Sequence, residues 1–446
     1  MKRYDSYKDS EVEWIGKIPN HWDLCKIKFL LKKRNEKNNP IITDNILSLS
    51  IKKGVTLQSE KPTGGNKPKD DLSKYNIVQE NDIVINSMNV IVGSVGLSKY
   101  FGLVSPVYYI LYSNNENLEI RYYDFLFSGK QFQKSLIGEG NGIMILESSN
   151  GKLNTIRMRI PYEKLGNKEF PVPPLSEQQQ IVSFLDTKTS LIDSLFEKTQ
   201  RKIELLKEKR TSLINEVVTK GLNPNVEMKD SGVEWIGDIP SSWFISKVKF
   251  ISKVYGRIGF RGYKTTDLVE EGEGVITLSP SNIYEGKLVL NKKTYLSYEK
   301  YYESPEIIIK SDDIVYVQRG STIGKSTIIP KEHPEMTINP QLIIIKDHKS
   351  SPRLTYYLMN SKLISIQTQN ELNGGSTPMI SQNSVENFII PISKSIDEQQ
   401  QIVEYLDEQT QLIDKTVSIE EKRIELLKEY RQSLISEVVT GKRKVV

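Results

Sequence analysis

The sequence predicts an α+β protein made as a tandem repeat, in which two α/β domains are separated by two long helices forming an antiparallel coiled coil. Three observations predict this fold: a repeat at constant offset, a β-rich insert in each copy, and a helical heptad pattern closing each copy. The chain has 446 residues, more than one compact domain ordinarily holds. Its content of 37% hydrophobic and 26% charged residues is typical of a globular protein.

Two blocks of sequence recur at an offset of 221 residues. Residues 9–22 (DSEVEWIGKIPNHW) match residues 230–243 (DSGVEWIGDIPSSW) at ten of fourteen positions. Residues 177–221 match residues 398–442 at 26 of 45 positions without a gap. We call these matched blocks the frame. The stretches between them, which have equal length and little identity, we call the inserts: residues 23–169 and 244–390. A constant frame around unlike inserts is what a protein with two different recognition domains needs.

The second frame block of each copy predicts a long helix. Ser176 with Gln179, and Asp397 with Gln400, have the spacing of N-terminal caps, and Gly221 and Gly441 stand where helices end. About 40 residues at about 1.5 Å each make a helix of roughly 60 Å. Apolar residues recur at a/d positions in both copies: Val182, Leu185, Thr189, Ile192, Phe196, Thr199, Ile203, Leu206, Arg210, Leu213 and Val217, then Val403, Leu406, Thr410, Ile413, Val417, Glu420, Ile424, Leu427, Arg431, Leu434 and Val438.

Polar residues interrupt this seam at the same places in both copies. Thr189 and Thr410 form one pair of interruptions, and Arg210 and Arg431 form the other. Either the polar residues set the register of the helix pair, or the arginines extend their head groups to solvent from a frayed end. Both interpretations stay open at this point.

The sequence patterns of the inserts predict mixed, β-rich domains that contain both strands and helices. Short apolar runs between turn-forming residues predict strands at Ile83–Ile85, Val107–Leu111, Ile307–Ile309, Ile314–Val317 and Leu342–Ile345. Helices are predicted at Arg121–Lys134 and Arg353–Gln369. The predicted boundaries are residues 1–169 for the first domain, 170–222 for the first long helix, 223–390 for the second domain and 391–446 for the second long helix.

Composition limits the possible functions. The net charge of +5 permits nucleic-acid binding without requiring it. No run of eighteen apolar residues or signal-peptide pattern occurs, and Cys25 is the single cysteine, so we expect a cytoplasmic protein.

The segment Gly320–Ser326 resembles a phosphate loop but has three residues between its glycines where four are needed. Three scattered histidines and one cysteine do not make a zinc pattern, and Trp14, Trp22, Trp235 and Trp243 are expected in the core.

The organisation resembles one known family. Two variable domains, the WIG-x-IP-x-x-W segment, and helices carrying EQQQIV and IELLKE are similar to the specificity subunit of Type I restriction-modification enzymes, over about Asp9–Lys442. The PPL-x-EQ-x-x-I segment at 173–181 carries the resemblance most specifically. In the second copy, Ser395-Ile396-Asp397-Glu398 departs from it.

The resemblance implies a non-catalytic DNA reader. It implies two target-recognition domains, each reading one half of a split site on double-stranded DNA, and helices that dock two modification subunits. Two restriction subunits, which are motor-nucleases, then join the complex. S-adenosylmethionine, ATP and Mg²⁺ are expected on the partner subunits, with no cofactor or metal on this chain and no membrane partner.

Base reading requires polar side chains on loops that reach the groove edges. Equivalent strand ends of the two inserts provide two sets, and glycine-bearing loops provide more. Arg319 is the favoured base contact, because arginine to guanine is the commonest specific pairing. The predicted DNA-binding residues are Ser50, Lys52, Lys53, Asn66, Lys67, Asn86, Ser87, Asn89, Arg257, Arg261, Tyr263, Lys264, Ser279, Ser281, Asn282, Gln318, Arg319, Ser321 and Ser376.

Three other functions remain open from the sequence. A self-contained restriction or modification enzyme is disfavoured, because neither Asn223-Pro224-Asn225-Val226 nor Asn339-Pro340-Gln341-Leu342 matches the Asn/Asp-Pro-Pro-aromatic tetrad of amino-methyltransferases. A coiled-coil adaptor whose inserts bind protein is the second. The third is a specificity subunit that serves a fused modification-nuclease chain.

Overall fold

The chain divides into two compact units in the computed structural model. Residues 2–51, 53–60, 71–140, 159–257, 259–372 and 378–445 are described. Unit 1 comprises Met1–Thr199 with Lys422–Val446, and unit 2 comprises Gln200–Glu421. Each unit therefore contains one insert and a segment of both long helices.

Unit 1 contains twelve strands among its described residues. They are β1 (Tyr7–Asp9), β2 (Lys17–Pro19), β3 (Asp23–Lys26), β4 (Lys32–Lys33), β5 (Leu47–Ser50), β6 (Gly54–Leu57), β7 (Asn76–Val78), β8 (Ile83–Asn86), β9 (Val95–Leu97), β10 (Gly102–Val104), β11 (Tyr108–Tyr112) and β12 (Glu169–Val172). The helices are α1 (Ile27–Leu30), α2 (Ile120–Ser128), α3 (Lys130–Ser135), α4 (Tyr162–Gly166) and α5 (Leu175–Lys220), which continues into unit 2.

Unit 2 repeats this order with more strands. They are β13 (Met228–Asp230), β14 (Asp238–Pro240), β15 (Phe244–Lys247), β16 (Lys253–Gly256), β17 (Leu268–Val269), β18 (Gly274–Leu278), β19 (Ile283–Tyr284), β20 (Lys287–Leu288), β21 (Tyr295–Ser297), β22 (Ile314–Val317), β23 (Ser326–Ile328), β24 (Met336–Ile338), β25 (Leu342–Lys346) and β26 (Ile389–Ile392). The helices are α6 (Val248–Ile251), α7 (Tyr298–Tyr302), α8 (Pro352–Met359), α9 (Lys362–Asn370), α10 (Gln382–Glu386) and α11 (Ile396–Val439), which continues into unit 1.

Both units contain the same four-stranded antiparallel sheet. Its order is β4-β11-β8-β9 in unit 1 and β16-β25-β22-β23 in unit 2. An antiparallel pair joins the start and end of each insert, β3 with β12 and β15 with β26. The units differ beside the main sheet: unit 1 has the hairpin β5-β6 and the pair β10-β7, whereas unit 2 has a sheet of order β17-β21-β18-β24. The α+β fold predicted from the repeat is confirmed.

Several predicted elements need correction. The helix predicted at Arg121–Lys134 is two helices, because Gly129 adopts an extended conformation between α2 and α3. The helix predicted at Arg353–Gln369 is likewise broken between α8 and α9, where Ser361 is extended. The strand predicted at Ile307–Ile309 is wrong. A 3-10 turn with proline at its start occupies Pro305–Ile307 instead.

The two long helices extend over 46 residues in α5 and 44 in α11. Their predicted caps, Ser176 and Asp397, are wrong because each lies inside the first turn. The Pro174 carbonyl accepts from the backbone of Glu177 at 2.9 Å, and Ser395 Oγ accepts from that of Glu398 at 3.2 Å. Proline restricts the residue before it and not the residue after it, so the first helix can begin at Leu175.

The predicted heptad seam is buried. In unit 1, Val182, Leu185 and Ile192 of α5 belong to one core with Leu434 and Val438 of α11. In unit 2, Val217 of α5 shares a core with Val403 and Leu406 of α11. In unit 1, Asp193 lies against Arg431 and Phe196 against Lys428. In unit 2, Lys202 lies against Glu420 and Arg210 against Asp414. Residue numbers therefore rise along one helix as they fall along the other, so the helices pack antiparallel within each unit, as predicted.

The seam arginines form ion pairs with the opposite helix. In unit 1, Arg431 Nε lies 3.0 Å from Asp193 Oδ1, and in unit 2, Arg210 Nε lies 3.1 Å from Asp414 Oδ1. These pairs correspond under the 221-residue offset. The interpretation in which the arginines set the register is therefore supported, since each bond fixes how the two helices align within its unit.

The first frame block anchors the start of each long helix. Trp22 Nε1 donates to Glu177 Oε2 at 2.9 Å in unit 1, and Trp243 Nε1 donates to Glu398 Oε2 at 3.0 Å in unit 2. Both indoles are buried, with 0% and 2% exposure. The core prediction holds for these two tryptophans, whereas Trp14 is partly buried and Trp235 is 41% exposed.

The glycines that follow the long helices have positive φ, as the cap prediction required: +71° at Gly221 and +72° at Gly441. A Cβ at Gly441 would overlap Pro19 Cδ and lie 2.9 Å from Trp22 Cζ3. Gly16, in the same unit, has a similar φ of +69°, and no atom lies within 4 Å of the place that a Cβ would take there. These two glycines separate backbone strain from steric overlap.

We predict that Gly441→Ala destabilises the protein more than Gly16→Ala. The positive φ costs each variant about 1 kcal/mol, and overlap at Gly441 adds about 1–3 kcal/mol. Urea unfolding followed by circular dichroism measures both free energies of unfolding. Equal losses in the two variants would contradict the contact between the helix end and the frame tryptophan.

Candidate nucleic-acid interface

In unit 2, two parallel strands end side by side. β18 pairs with β24 in parallel register, with Leu278 opposite Ile338. Ser279 and Asn339 follow these residues, and the Asn339 N–H donates to the Leu278 carbonyl at 2.9 Å. The loops after both strands therefore leave the domain at one edge.

The end of β22 lies next to the same loops. Val317 pairs with Leu342, and the backbone N–H groups of Gln318 and Arg319 both donate to the Gln341 carbonyl, at 3.0 and 3.3 Å. The two predicted sets of unit 2, one at 318–321 and one at 279–282, thus belong to one continuous edge. We call the exposed or half-buried residues of this edge the candidate edge of unit 2: Ser279, Ser281, Gln318, Arg319, Ser321, Asn339 and Gln341.

Arg319 is the main cation of this edge. It is exposed, and its Nη2 lies 3.0 Å from Met379 Sδ. Within the described part of the chain, no acidic side chain forms an ion pair with it. A thioether is a weak acceptor, so most donors of the guanidinium stay available to a ligand. This geometry suits bidentate contact with a base edge or a phosphate.

Two predicted contacts in unit 2 are instead structural. Arg257 is 7% exposed, and it donates to the Ile338 carbonyl at 3.1 Å and to Thr337 Oγ1 at 3.2 Å. Burial lowers its pKa, against the opposing influence of Tyr263 and nearby glutamates. Asn282 is 3% exposed, and its side chain holds the turn by accepting from the Ser279 N–H at 2.9 Å. Neither side chain is available to DNA, so we leave both out of the candidate edge.

The remaining residues of the loop after β16 differ in exposure. Arg261 lies 3.3 Å from Glu306, and the Tyr263 ring contacts the Arg257 guanidinium at 5.3 Å. Lys264 is exposed. Lys264 is thus the side chain of this loop that is most open to a phosphate, while Arg261 is already partnered.

The corresponding edge of unit 1 carries a different set of side chains. Asn86 ends β8, where its Oδ1 accepts from the Met88 N–H at 3.0 Å, and Asn89 is exposed. Ser50 caps the β5-β6 turn by accepting from the N–H of exposed Lys53 at 3.1 Å. Ser87 is fully buried and donates to the Val107 carbonyl at 2.7 Å, so its predicted contact with DNA is corrected to a structural role. Lys52, Asn66, Lys67 and Ser376 lie outside the described residues.

The sequence prediction missed three exposed or edge-forming residues. Asn339 and Gln341 belong to the candidate edge of unit 2, and the similarity between VSP at 104–106 and INP at 338–340 was a signal for that loop. In unit 1, exposed Arg159 lies 6.0 Å from the Tyr109 ring and precedes Ile160, whose N–H donates to the Ser87 carbonyl at 2.9 Å. Ile380 makes the equivalent bond to Gln318 in unit 2. Arg159 therefore lies next to the end of β8.

Other candidate chemistry is not supported within the described residues. Gly320–Ser326 forms the turn between β22 and β23, with the Gly324 N–H donating to the Val317 carbonyl at 3.0 Å, so it is a hairpin turn and not a phosphate loop. The described part of the chain has no group of three or more histidine, cysteine or acidic residues that could hold a metal ion. None of its helices is long and apolar enough to cross a membrane.

Comparison with known sequences identifies the class of domain. Residues 261–429 match the model of the Type I restriction modification DNA specificity domain. The chain is 25% identical to the Type I restriction enzyme MjaVIII specificity subunit of Methanocaldococcus jannaschii, with 100% of this chain and 98% of that protein aligned. It is 23% identical to the putative type I restriction enzyme MjaX specificity subunit of the same organism, covering 99% and 97%.

Solved structures share the fold. A chain from a study of complex assembly and conformational transition of the type I R-M system superposes with a TM-score of 0.68 at 13% identity, covering 95% of this chain and 98% of that one. The HsdS subunit from Thermoanaerobacter tengcongensis superposes with a TM-score of 0.50 at 13% identity, covering 96% and 98%. The protein therefore shares the fold of these two chains. Over its whole length the chain is similar to Type I restriction enzyme specificity subunits, and the resemblance of its motifs to that family is confirmed.

We predict that the two arginines of unit 2 differ in what they contribute to stability. Arg257→Met leaves buried acceptors unpaired and lowers the free energy of unfolding by about 2 kcal/mol. Arg319→Met removes an exposed side chain and changes it by less than about 0.5 kcal/mol. Chemical denaturation of both variants is the measurement. A larger loss for Arg319→Met would show that Arg319 is the structural group of the two.

Proposed function

We propose that this chain reads a bipartite, asymmetric DNA site, with one half-site per unit, for a Type I restriction-modification complex. The observation that carries this proposal is the duplication of one frame around sheet edges with different side chains. Arg319 and Gln341 stand at the edge in unit 2, where unit 1 presents Asn86, Asn89 and Arg159. Different polar groups at equivalent edges would read different bases.

The long helices are proposed to dock two modification subunits. This proposal is supported by exposed leucines at repeated positions of the two helices. Leu191 and Leu412 are 56% and 59% exposed, and Leu205 and Leu426 are 49% and 54% exposed. Each unit holds one leucine of each pair. Leucines exposed in this way on helices favour a partner surface, and their repetition favours a partner that binds twice.

The catalytic groups are proposed to reside on other chains. Adenine methylation with S-adenosylmethionine would belong to the two modification subunits, and ATP- and Mg²⁺-dependent cleavage to two restriction subunits. The specificity subunit itself would then be non-catalytic and bind no cofactor or metal. Because the proposed complex would act on the double-stranded DNA of its host, we propose the cytoplasm as its location.

Arg319→Ala in the assembled methylating complex should change recognition in one half-site only. Loss of a bidentate base contact costs about 1–3 kcal/mol of discrimination, or roughly 5- to 160-fold. Sequencing of methylated adenines in a host that carries the variant reports the bases accepted at each position.

The matched control for this variant is Asn89→Ala, on the other unit. It should alter the other half-site and leave the first unchanged. Methylation that changes equally in both halves, or a single contiguous palindrome in the wild type, would contradict the assignment of one half-site to each unit.

Leu191→Glu combined with Leu412→Glu should prevent binding of the modification subunits, because a carboxylate buried against an apolar partner is strongly unfavourable. A complex that carries only one of the two substitutions should bind about one modification subunit in place of two. Native mass spectrometry of the co-purified complex counts the subunits. Gln200→Glu with Gln411→Glu adds the same charge at other exposed helix positions and should leave the assembly intact. Full assembly of the leucine variant would exclude these leucines from the interface.

A further inference from the structure

A basic concavity lies in unit 1, and none of its lining residues belongs to the predicted DNA-binding residues. The backbone of Lys444 donates to the Lys2 carbonyl at 2.9 Å, and the Tyr7 hydroxyl donates to the Lys442 carbonyl at 3.3 Å. These bonds bring the segment before β1 against the residues after α11. The two segments and β2 enclose a concavity of about 680 Å³.

Positive side chains dominate the lining of this concavity. Five of its seven lining residues are cationic: Lys2, Arg3, Lys17, Lys442 and Arg443. The acidic residue of the lining, Glu437, forms an ion pair with Arg443. Within the described part of the chain, the other four cations form no ion pair. Like charges held together repel one another, and a bound polyanion relieves that repulsion.

The frame does not need this charge in order to fold. Unit 2 has a concavity of the same volume, about 680 Å³, at the corresponding end of α5. There the offset places Asp238 where unit 1 has Lys17, and Met228 where unit 1 has Tyr7. Glu216 and Lys220 complete the charged part of its lining. Because the same packing forms without a positive lining, the charge in unit 1 points to a ligand and not to a structural requirement.

We propose that the basic concavity of unit 1 binds the phosphodiester backbone of double-stranded DNA, independently of sequence. This inference rests on the proposed function, in that it assumes a chain that binds DNA. The cations come from three separate segments around an open concavity, which suits successive phosphates along a strand better than one small anion. Contacts of this kind add affinity and salt dependence without selecting bases.

The test uses the assembled complex and the triple variant Lys2→Gln, Lys17→Gln, Lys442→Gln. The carbonyls of Lys2 and Lys442 that accept hydrogen bonds belong to the main chain, so the substitutions keep those bonds. Fluorescence anisotropy measures affinity for a duplex without the site, at several NaCl concentrations. The slope of log affinity against log salt should fall by about 2–3, at about 0.9 for each phosphate contact, while the methylated sequence stays unchanged.

Three controls make the outcome decisive. The triple variant Lys198→Gln, Lys209→Gln, Lys415→Gln removes the same charge from exposed helix positions and should keep the wild-type slope. Lys220→Gln, in the concavity of unit 2, should also keep it, whereas Lys442→Gln alone should lower it by about 0.9. Inorganic phosphate at equal ionic strength should compete no better than chloride.

The outcomes separate the two proposals. An unchanged slope in the concavity variant, with salt-dependent binding by the wild type, overturns the inference and leaves the proposed function standing. Loss of complex assembly with an unchanged slope would overturn it as well, since the concavity would then face a protein partner. Absence of DNA binding by the wild-type complex contradicts the proposed function itself.

Discussion

The hydrogen bond from a frame tryptophan to a first-turn glutamate is the constraint on which each unit depends. Trp22 and Trp243 lie just before their inserts, and Glu177 and Glu398 lie just after them. A buried indole needs an acceptor, and a carboxylate is favourable at a helix N-terminus. Burial opposes ionisation of Glu177, but hydrogen bonds from His21, Trp22 and Tyr4 outweigh it and hold its pKa below the usual range. The ionised Glu177 carboxylate contributes its full stability above the pKa that this carboxyl has in the unfolded chain. That stability is lost as the pH falls through the lower pKa of the carboxyl in the folded state.

The long helices show what periodicity can predict. The a/d positions identified the buried seam correctly, because burial along a helix follows its repeat. The sequence left two interpretations for Arg210 and Arg431, since a heptad pattern does not say which residues of the opposite helix lie alongside. Asp193 and Asp414 are ordinary surface positions in one helix alone. They become partners of the arginines only in the antiparallel alignment within each unit.

The candidate edge was predictable only in part. Strand ends were located from apolar runs, so Gln318 and Arg319 were found. Their proximity to Ser279 depends on the parallel pairing of β18 with β24, a contact between distant segments that local pattern does not encode. The exposure of each arginine side chain could not be predicted from the sequence either. Arg257 and Arg319 both follow strands in the same insert, yet Arg257 is turned into the domain, where the Ile338 carbonyl accepts its hydrogen bond.

The way in which each insert joins the frame explains how one frame can carry unlike inserts. β3 pairs with β12, and β15 with β26, so the two ends of an insert are held together by an antiparallel ladder. Ladder bonds are made by the backbone and place few demands on side chains. What lies between the ladders can therefore differ, as the hairpin β5-β6 and the sheet containing β17, β18, β21 and β24 do. The same main sheet persists in both units because its central strands, β8 and β22, are buried. The differences between the units therefore lie beside the main sheet and in the loops, and not in its buried central strands.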